Sequence, residues 1–350
     1  MSAPVRVALL GYGLAGAVFH APLIAAVDDL ELAAIVTRDR ERRSRAGRDF
    51  PDAALLESPE EIWKRADEFD LAVVATPNRA HVALARAAMG ANIAVVVDKP
   101  LAPSGDEGRS LVREAQERGV MLTVFQNRRW DGDFLTVRGL LEEDALGEVS
   151  RFESRFERWR PDLAGGWRES PEPDDAGGLL YDLGSHLVDQ ALQLFGPATL
   201  VYAELDRRRS GADTDDDTFV ALTHASGIRS HLWMSAVAAQ PGPRFRVLGS
   251  RAGYVKYGLD VQEESLRAGR RPTDRLWGRE PEDRWGLLDS GDHLRRVRTV
   301  AGAYQRFYEG VLLALRESAP PPVDPAEAVA GLEVLDAAKT SAREQRVVLL

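Results

Sequence analysis

Over the first 125 residues, short continuous apolar runs alternate with amphipathic stretches. Apolar runs rich in β-branched residues predict buried strands, and apolar positions three or four residues apart predict helices. The predicted strands are 5–10, 32–37, 54–56, 71–75, 93–97 and 120–125, and the predicted helices are 17–27, 59–65, 79–89 and 104–118. Strands that are apolar on both faces and alternate with helices predict a parallel sheet covered on both sides.

After residue 125 the pattern changes. Residues 149–156 alternate apolar and polar positions, and several further short runs follow with turn residues between them. This pattern predicts an antiparallel or mixed sheet. The further predicted strands are 200–205, 218–223, 230–235, 245–248, 253–256 and 347–350, and the predicted helices are 179–195, 304–316 and 325–343. Residues 258–292 are rich in Gly, Pro and charged residues and are predicted to form a long excursion.

A glycine pattern follows the first predicted strand and opens a helical stretch. Gly11, Gly13 and Gly16 match G-x-G-x-x-G, in which the glycines allow a tight turn, a close approach of a pyrophosphate and close packing of helix on strand. The helix N-terminus then offers free N–H groups to phosphate. This context predicts a Rossmann dinucleotide-binding domain at residues 1–125. Its predicted cofactor-binding loop consists of Gly11, Tyr12, Gly13, Leu14, Ala15 and Gly16.

The end of the second strand bears on the choice of dinucleotide. NAD-binding domains carry an Asp or Glu at this position for the ribose hydroxyls, but the strand here ends in Thr37 and Arg38. Because an arginine can pair with a 2′-phosphate, we predict NADP rather than NAD, with both residues binding the cofactor. Two alternatives stay open: Arg38 stacks on the adenine or faces solvent, and Asp39 lies close enough to take the carboxylate's place.

Composition narrows the class of protein. A net charge of −10 argues against nucleic acid and membrane surfaces as partners. The absence of cysteine excludes disulfides and a thiol nucleophile, and the first strand leaves no room for a signal peptide, so we expect a cytoplasmic protein. No histidine spacing predicts a metal site. The acidic run at 213–217 is interpreted as a solvated turn, and the arginine run at 207–209 as solvent-facing or at a subunit contact.

Two polar segments follow predicted strands of the first domain, where ligands lie in such sheets. One contains Thr76, Pro77 and Asn78, with His81 opening the next helix. These four residues are predicted to contact the cofactor, although ordinary turn chemistry is an alternative. The other is Asp98-Lys99-Pro100. Since Lys99 follows five apolar residues at a strand's carboxyl end, we expect it beside the nicotinamide, with Asp98 near the cofactor.

A third constellation lies in the second half, where Gly177 and Gly178 precede Asp182 and His186. Residues four apart share a helix face. A carboxylate beside an imidazole suits a general acid/base, and a helix-surface pair is the alternative.

Together these segments resemble the Gfo/Idh/MocA family of sugar and polyol oxidoreductases. Further stretches resemble its NADP-dependent scyllo-inositol dehydrogenase branch, namely 11–20, 127–131, 167–169, 180–186 and 266–270. The resemblance implies an α+β domain at residues 126–350 with an open, largely antiparallel sheet. The exposed face of that sheet would form a homodimer or homotetramer. The resemblance also implies Lys99, Asp182 and His186 as catalytic, with Asp98 standing where the family commonly has Glu.

The hypothesis is hydride transfer between NADP and a secondary alcohol of a cyclic polyol or sugar, such as scyllo-inositol. His186 would accept the hydroxyl proton, Lys99 would bind the same oxygen, and Asp182 would orient His186. Candidate substrate-binding residues, since Trp and Arg suit a ring with hydroxyl edges, are Arg128, Trp130, Trp167, Arg168 and Tyr181. A glycosidase that retains NAD and a dinucleotide-sensing regulator are the alternative readings of the same fold.

Overall fold

The computed structural model describes residues 3–350 and contains two β-sheets. The first sheet has six strands in the order β3-β2-β1-β4-β5-β6, and every pair is parallel. The strands are β1 (Val5–Leu10), β2 (Leu30–Val36), β3 (Ala54–Leu56), β4 (Leu71–Val74), β5 (Ala94–Asp98) and β6 (Leu122–Phe125). The predicted parallel Rossmann sheet is therefore confirmed.

Five α-helices accompany this sheet. They are α1 (Ala21–Ile24), α2 (Arg40–Asp49), α3 (Glu60–Trp63), α4 (His81–Gly90) and α5 (Gly105–Arg118). The segment before α1, Ala15–His20, is a π-helical turn, so the helix predicted at 17–27 ends earlier and is partly π. The sequence gives little sign of α2, because Ala46 is its one buried residue.

The second sheet has nine strands in the order β14-β13-β12-β11-β7-β10-β9-β8-β15. They are β7 (Val149–Glu157), β8 (Ala198–Asp206), β9 (Asp217–His224), β10 (Arg229–Ser235), β11 (Phe245–Gly249), β12 (Gly253–Lys256), β13 (Gly286–Asp289), β14 (Leu294–Val297) and β15 (Val348–Leu349). β7 and β10 run parallel, and the other neighbours are antiparallel. The predicted open, largely antiparallel sheet is confirmed.

Five more α-helices complete the chain. They are α6 (Gly132–Glu142), α7 (Ser185–Phe195), α8 (Gln262–Arg267), α9 (Gln305–Glu317) and α10 (Pro325–Glu344). A second π-helical turn, Leu180–Gly184, leads into α7. Along β9, buried residues alternate with half-buried ones, as expected for a sheet with one face on the core. The helices α7 and α10 cover that face.

The C-terminal helices also contact the first sheet and its helices. α9 packs against α1, and α10 packs against α5 as well as β8. Arg316 on α9 pairs with Asp29 at 2.7 Å, and Thr123 on β6 donates a hydrogen bond to the carbonyl of Val323 at 2.7 Å. These contacts join the two sheets and the helices around them.

The interpretation of the acidic run at 213–217 as a solvated turn holds for the exposed Asp213 but is wrong for Asp216. Asp216 is fully buried and accepts hydrogen bonds from the backbone and side chain of Arg209. The Arg209 side chain is itself only 7% exposed, so it does not face solvent. Asp215 accepts from the Leu180 N–H and the Thr218 hydroxyl, both at 2.7 Å. The run therefore anchors the segment that leads into Leu180–Gly184.

Within residues 3–350, the structure has no helix that is both long and apolar enough to cross a membrane.

Candidate active site

The glycine loop joins β1 to the π-helical turn, and each glycine is required for a different reason. Gly11 has φ +104°, and a Cβ there would lie 2.5 Å from the Ala75 carbonyl oxygen. A Cβ on Gly16 would lie 2.0 Å from the Gly11 carbonyl oxygen. At Gly13 the nearest atom would be a guanidinium nitrogen of Arg42 at 3.6 Å. The backbone is thus packed at Gly11 and Gly16 but open at Gly13, as a cradle for pyrophosphate requires.

Some side chains of the glycine loop face the space between the two sheets, and others are packed in the interior. Leu14 is exposed, and with Ala15 it lines a cleft between the two sheets. Tyr12 instead turns inward: its hydroxyl donates a hydrogen bond to Asp49 at 3.0 Å and its ring packs edge-on against Phe50. Tyr12 can therefore reach a dinucleotide only through its backbone.

At the end of β2, Thr37 is buried and Arg38 is exposed. The Arg38 guanidinium donates to the Glu57 carbonyl at 3.3 Å. Asp39 is the N-cap of α2, and its carboxylate accepts the Arg42 N–H at 2.9 Å. One oxygen of this carboxylate is thus engaged in capping α2. Arg42, which the sequence analysis did not single out, brings a second guanidinium to the glycine loop.

Fewer residues of the turn after β4 face the cleft than the sequence predicted. Thr76 packs on Gly11, and its buried hydroxyl has no hydrogen-bond partner among residues 3–350. Asn78 is buried and donates to the Asp175 carbonyl at 2.9 Å. His81 is buried with its ring nitrogens 2.8 and 2.9 Å from the carbonyl oxygens of Pro100 and Thr76. Asn78 and His81 thus hold neighbouring segments in place and, like Pro77, do not line the cleft.

The segment after β5 brings Lys99 to the floor of the cleft. Asp98 accepts the Lys99 N–H at 2.9 Å, and its Oδ1 lies 3.9 Å from Nε2 of the buried His20. The other ring nitrogen of His20 lies 2.6 Å from the Tyr308 hydroxyl. Burial acts to raise the pKa of Asp98, but contact with His20 and the charge of Lys99 outweigh it and lower that pKa. The strand end is therefore fixed by an ionised carboxylate.

Across the cleft, the second π-helical turn presents Asp182. Lys99 Nζ donates to the Asp182 backbone carbonyl at 2.5 Å and lies 3.2 Å from Asp182 Oδ1. Arg168 Nε lies 3.5 Å from the same oxygen. Burial acts to raise the pKa of Asp182, but the charges of Lys99 and Arg168 lower it to about 2. This ion pair joins the two domains at the base of the cleft.

His186 lies on the first turn of α7 and lines the same cleft as Lys99 and Asp182. Its ring is buried, and Nδ1 has no hydrogen-bond partner within the described chain. Burial lowers the pKa of His186 well below its usual value, and the charges of Lys99 and Arg128 act in the same direction. The imidazole is therefore neutral at pH 7. The expectation that Asp182 orients His186 is wrong, because this carboxylate is paired with Lys99 and Arg168.

The cleft has an empty volume of about 930 Å³ and is walled by both domains. Its lining residues are Leu14, Ala15, Phe19, Asp98, Lys99, Phe125, Asn127, Arg128, Arg158, Arg160, Arg168, Asp182, Leu183, His186, Glu263 and Arg267. A dinucleotide seated on the glycine loop would thus lie next to an amine, a carboxylate and a neutral imidazole. This combination suits proton transfer to and from an alcohol.

Family models match both parts of the chain. The NAD-binding Rossmann fold model of the oxidoreductase family matches residues 5–126, and the C-terminal alpha/beta domain model matches residues 138–350. The chain belongs to the Gfo/Idh/MocA oxidoreductase family.

Relatives within the family match over the full length. The NADP-dependent scyllo-inositol 2-dehydrogenase IolW of Bacillus subtilis is 36% identical over 99% of this chain and 96% of its own. The uncharacterized oxidoreductase YdgJ of Escherichia coli is 39% identical over all of both chains. Among solved structures, the oxidoreductase yvaA of Bacillus subtilis superposes with a TM-score of 0.93 at 35% identity, covering 100% of this chain and 99% of that chain.

The predicted substrate residues fall into two groups. Arg128 and Arg168 line the cleft, and Trp167 lines an adjoining cavity, with the Arg168 guanidinium 4.3 Å from its ring centre. Trp130 packs edge-on against Phe307 instead, and the buried Tyr181 donates its hydroxyl to the Pro103 carbonyl at 3.0 Å. Neither lines the cleft, so the structure does not support the assignment of Trp130 and Tyr181 to substrate. Core packing explains both.

Other cleft residues were not predicted. Glu263 and Arg267 come from α8, inside the segment expected to be an excursion. Arg158 and Arg160 follow β7, where the alternating pattern ends. The signal that could have found α8 is the Glu263–Arg267 spacing of four residues, which forms an ion pair at 2.9 Å.

Proposed function

We propose that this chain is an NADP-dependent dehydrogenase acting on a secondary alcohol of a cyclic polyol or sugar. The observation that carries the proposal is the meeting of Lys99, Asp182 and His186 in one cleft that opens onto the glycine loop. The likeness to IolW, a scyllo-inositol 2-dehydrogenase, favours a cyclic polyol such as scyllo-inositol as substrate.

The residues present fit a dinucleotide. The open backbone at Gly13, the unpartnered Thr76 hydroxyl and the guanidinium groups of Arg38 and Arg42 would hold NADP. NADP is favoured over NAD because Arg38 and Arg42 lie near the end of β2 and Asp39, between them in the sequence, caps α2. When bound, the nicotinamide would supply the hydride acceptor.

The chain's own groups would manage the alcohol. His186, neutral at pH 7, accepts the hydroxyl proton. Lys99 donates a hydrogen bond to the same oxygen and stabilises the negative charge that develops on it. Asp182 holds the Lys99 ammonium in position through both its carboxylate and its backbone carbonyl. In this assignment Asp182 is the partner of Lys99 rather than of His186.

The test is absorbance at 340 nm with NADP or NAD and a panel of inositols and aldoses together with their acidic and phosphorylated derivatives. We expect NADPH to form with at least one cyclic polyol or sugar, and kcat/KM to be higher with NADP than with NAD. Turnover of none of them, together with a bound dinucleotide that does not exchange, would contradict the proposal. That result would favour a glycosidase with a retained cofactor or a non-enzymatic sensor.

We also propose that the chain forms a homodimer or homotetramer through the face of the second sheet that α7 and α10 leave open. Phe219 and Trp233 lie opposite each other on this face, half-buried, with ring centres 5.1 Å apart. The Arg155 guanidinium lies 3.9 Å from the centre of the Trp233 ring, and a partly exposed sheet face that carries aromatic rings and arginine favours a subunit contact. Light scattering at micromolar concentration is expected to give a multiple of 38.4 kDa, and a monomer would contradict this.

A further inference from the structure

Two arginines of the cleft, Arg158 and Arg160, have no carboxylate partner among the described residues. Their backbone N–H groups donate to Ser235 and Ala236 at 2.8 and 2.7 Å, which fixes where their side chains start. The Arg158 guanidinium lies over the Phe156 ring, 4.5 Å from its centre. Neither guanidinium has a carboxylate oxygen within ion-pair distance in residues 3–350.

The other arginines of the cleft are all paired. Arg128 and Arg267 share Glu263 at 2.8 and 2.9 Å, and Arg168 faces Asp182. In total, six cationic side chains line the cleft against three carboxylates. This local excess stands out in a chain whose net charge is −10.

The location of the pair points to substrate rather than to cofactor. Arg158 and Arg160 also line a second cavity of about 890 Å³ that adjoins the cleft. The two cavities share Arg158, Arg160, Arg168, Asp182 and Leu183, and the second contains no residue of the glycine loop. The pair therefore lies next to Asp182, on the part of the cleft that continues away from the dinucleotide cradle.

Arg158 and Arg160 line the same two cavities, and the repulsion between two cations is relieved when an anion binds between them. Burial and the charge of Arg160 lower the pKa of Arg158 to about 10, although Asp182 and Glu263 act in the opposite direction, so the Arg158 guanidinium remains charged at pH 7. A guanidinium offers parallel N–H donors that match the oxygens of a carboxylate or phosphate.

We propose that Arg158 and Arg160 bind an anionic group, a carboxylate or a phosphate, carried by the sugar or polyol substrate. This inference rests on the proposed function and makes it more specific: among sugars and cyclic polyols, those that carry a carboxylate or a phosphate bind more tightly than their neutral counterparts. The anionic group sits at the junction of the two cavities, so the hydroxyl to be oxidised lies toward Lys99 and His186.

The experiment is calorimetric titration of the NADPH complex with glucose, glucuronate and glucose 6-phosphate, which differ at one carbon. With NADPH bound, the alcohol is not oxidised, so binding is measured alone. We expect the Kd of at least one anionic sugar to be about ten- to a hundred-fold below that of glucose, the range for a charge-assisted hydrogen bond. Whichever of glucuronate and glucose 6-phosphate has the lower Kd shows whether the site prefers a carboxylate or a phosphate.

Variants make the assignment specific. Arg158→Gln and Arg160→Gln are each expected to remove most of this preference while leaving the Kd of NADPH unchanged. Arg207→Gln, at an exposed arginine outside both cavities, keeps the preference. Since Arg160 is exposed, its substitution leaves the fold intact even if the Arg158 variant unfolds.

Two results would overturn the inference. The first is that neither anionic sugar binds more tightly than glucose, which includes the case in which none of the three sugars binds. The other is a higher Kd for NADPH in either variant, which would assign the pair to the cofactor. Failure of the proposed function is seen separately, as absence of NADPH formation in the alcohol panel, and it does not affect this binding measurement.

Discussion

The Lys99 ammonium of the first domain contacts two oxygens of Asp182, a residue of the second domain. This contact links the two proposed catalytic residues across the cleft. Acid–base groups of this kind contribute about 10²–10⁴-fold to rate. Lys99→Ala and His186→Ala are each expected to lower kcat by at least about a hundred-fold, with the Kd of NADPH little changed. Steady-state kinetics and fluorescence titration measure the two quantities.

Matched controls are available on the surface. Lys64 and His293 are exposed and lie outside the cleft, so Lys64→Ala and His293→Ala should retain normal turnover. Near-normal kcat in either the Lys99 or the His186 variant would remove that residue from the mechanism.

The pH dependence of oxidation reports on His186. Its imidazole must be neutral to accept a proton, and its pKa in the folded protein lies well below the ordinary 6.5 because of burial and nearby cations. As pH falls, activity is therefore expected to persist through pH 6.5 and to decline only below it. The measurement is kcat/KM against pH. An acid limb with its midpoint at or above 6.5 would be inconsistent with the buried, neutral imidazole.

At the residue scale, the sequence brought the three proposed catalytic residues to one cleft more reliably than the proposed substrate residues. Lys99, Asp182 and His186 follow recognisable local patterns, and all three meet in the cleft. Trp130 and Tyr181 lie near such patterns too, but their side chains point into the core. Local sequence does not indicate which side of a turn faces a cavity, since that depends on distant elements such as α9 and α10.

Among the structural elements, the glycine loop contains one glycine that is needed for packing and another that is free to approach a cofactor. Substitutions at the two positions therefore affect folding and cofactor binding separately. A Cβ at Gly16 would meet the Gly11 carbonyl at 2.0 Å, whereas one at Gly13 meets nothing closer than 3.6 Å. Gly16→Ala is expected to lower the free energy of unfolding by about 1–3 kcal/mol, as for overpacked sites. Gly13→Ala should leave that free energy unchanged and raise the Kd of NADPH by roughly ten-fold, or about 1.4 kcal/mol.

Urea unfolding and NADPH titration of the two variants provide the data. If Gly13→Ala binds NADPH normally, the loop is not the dinucleotide cradle.

The start of α2 bears on the choice between NADP and NAD. Arg42 lies near Gly13, and Asp39 is occupied as a helix cap. Loss of a charge-assisted hydrogen bond costs about 1.5–3 kcal/mol, so Arg42→Ala is expected to raise the KM of NADP about ten- to a hundred-fold while the KM of NAD stays constant. Arg40→Ala, at an exposed neighbour, is the control. An equal effect on both dinucleotides would argue against recognition of a 2′-phosphate.

Elements with strong apolar periodicity were predicted, and those without it were not. The six strands of the first sheet have nearly continuous apolar runs, and all six were found. α2 is charged on most sides, and α8 is only six residues long. Neither has the apolar periodicity that predicts a helix, and the one helical signal in α8 is the four-residue spacing of Glu263 and Arg267, which both line the cleft.

At the scale of the whole molecule, the cleft exists because the two sheets are held against each other. Sequence patterns predicted both sheets, but not that α9 and α10 would return to the first one. Three contacts join residues more than 80 positions apart, namely Arg316 with Asp29, Thr123 with Val323, and Lys99 with Asp182. Such long-range pairs leave no local trace in a single sequence, so the walls of the cleft became visible only in the structure.

The central claim is that Lys99 and His186 act on one alcohol. The most direct measurement is a crystal structure of the complex with NADPH and a polyol or sugar that the enzyme oxidises. The account predicts a ring hydroxyl oxygen within hydrogen-bond distance, about 3 Å, of both Lys99 Nζ and a ring nitrogen of His186. A substrate whose hydroxyls contact only one of these groups, or neither, would contradict it.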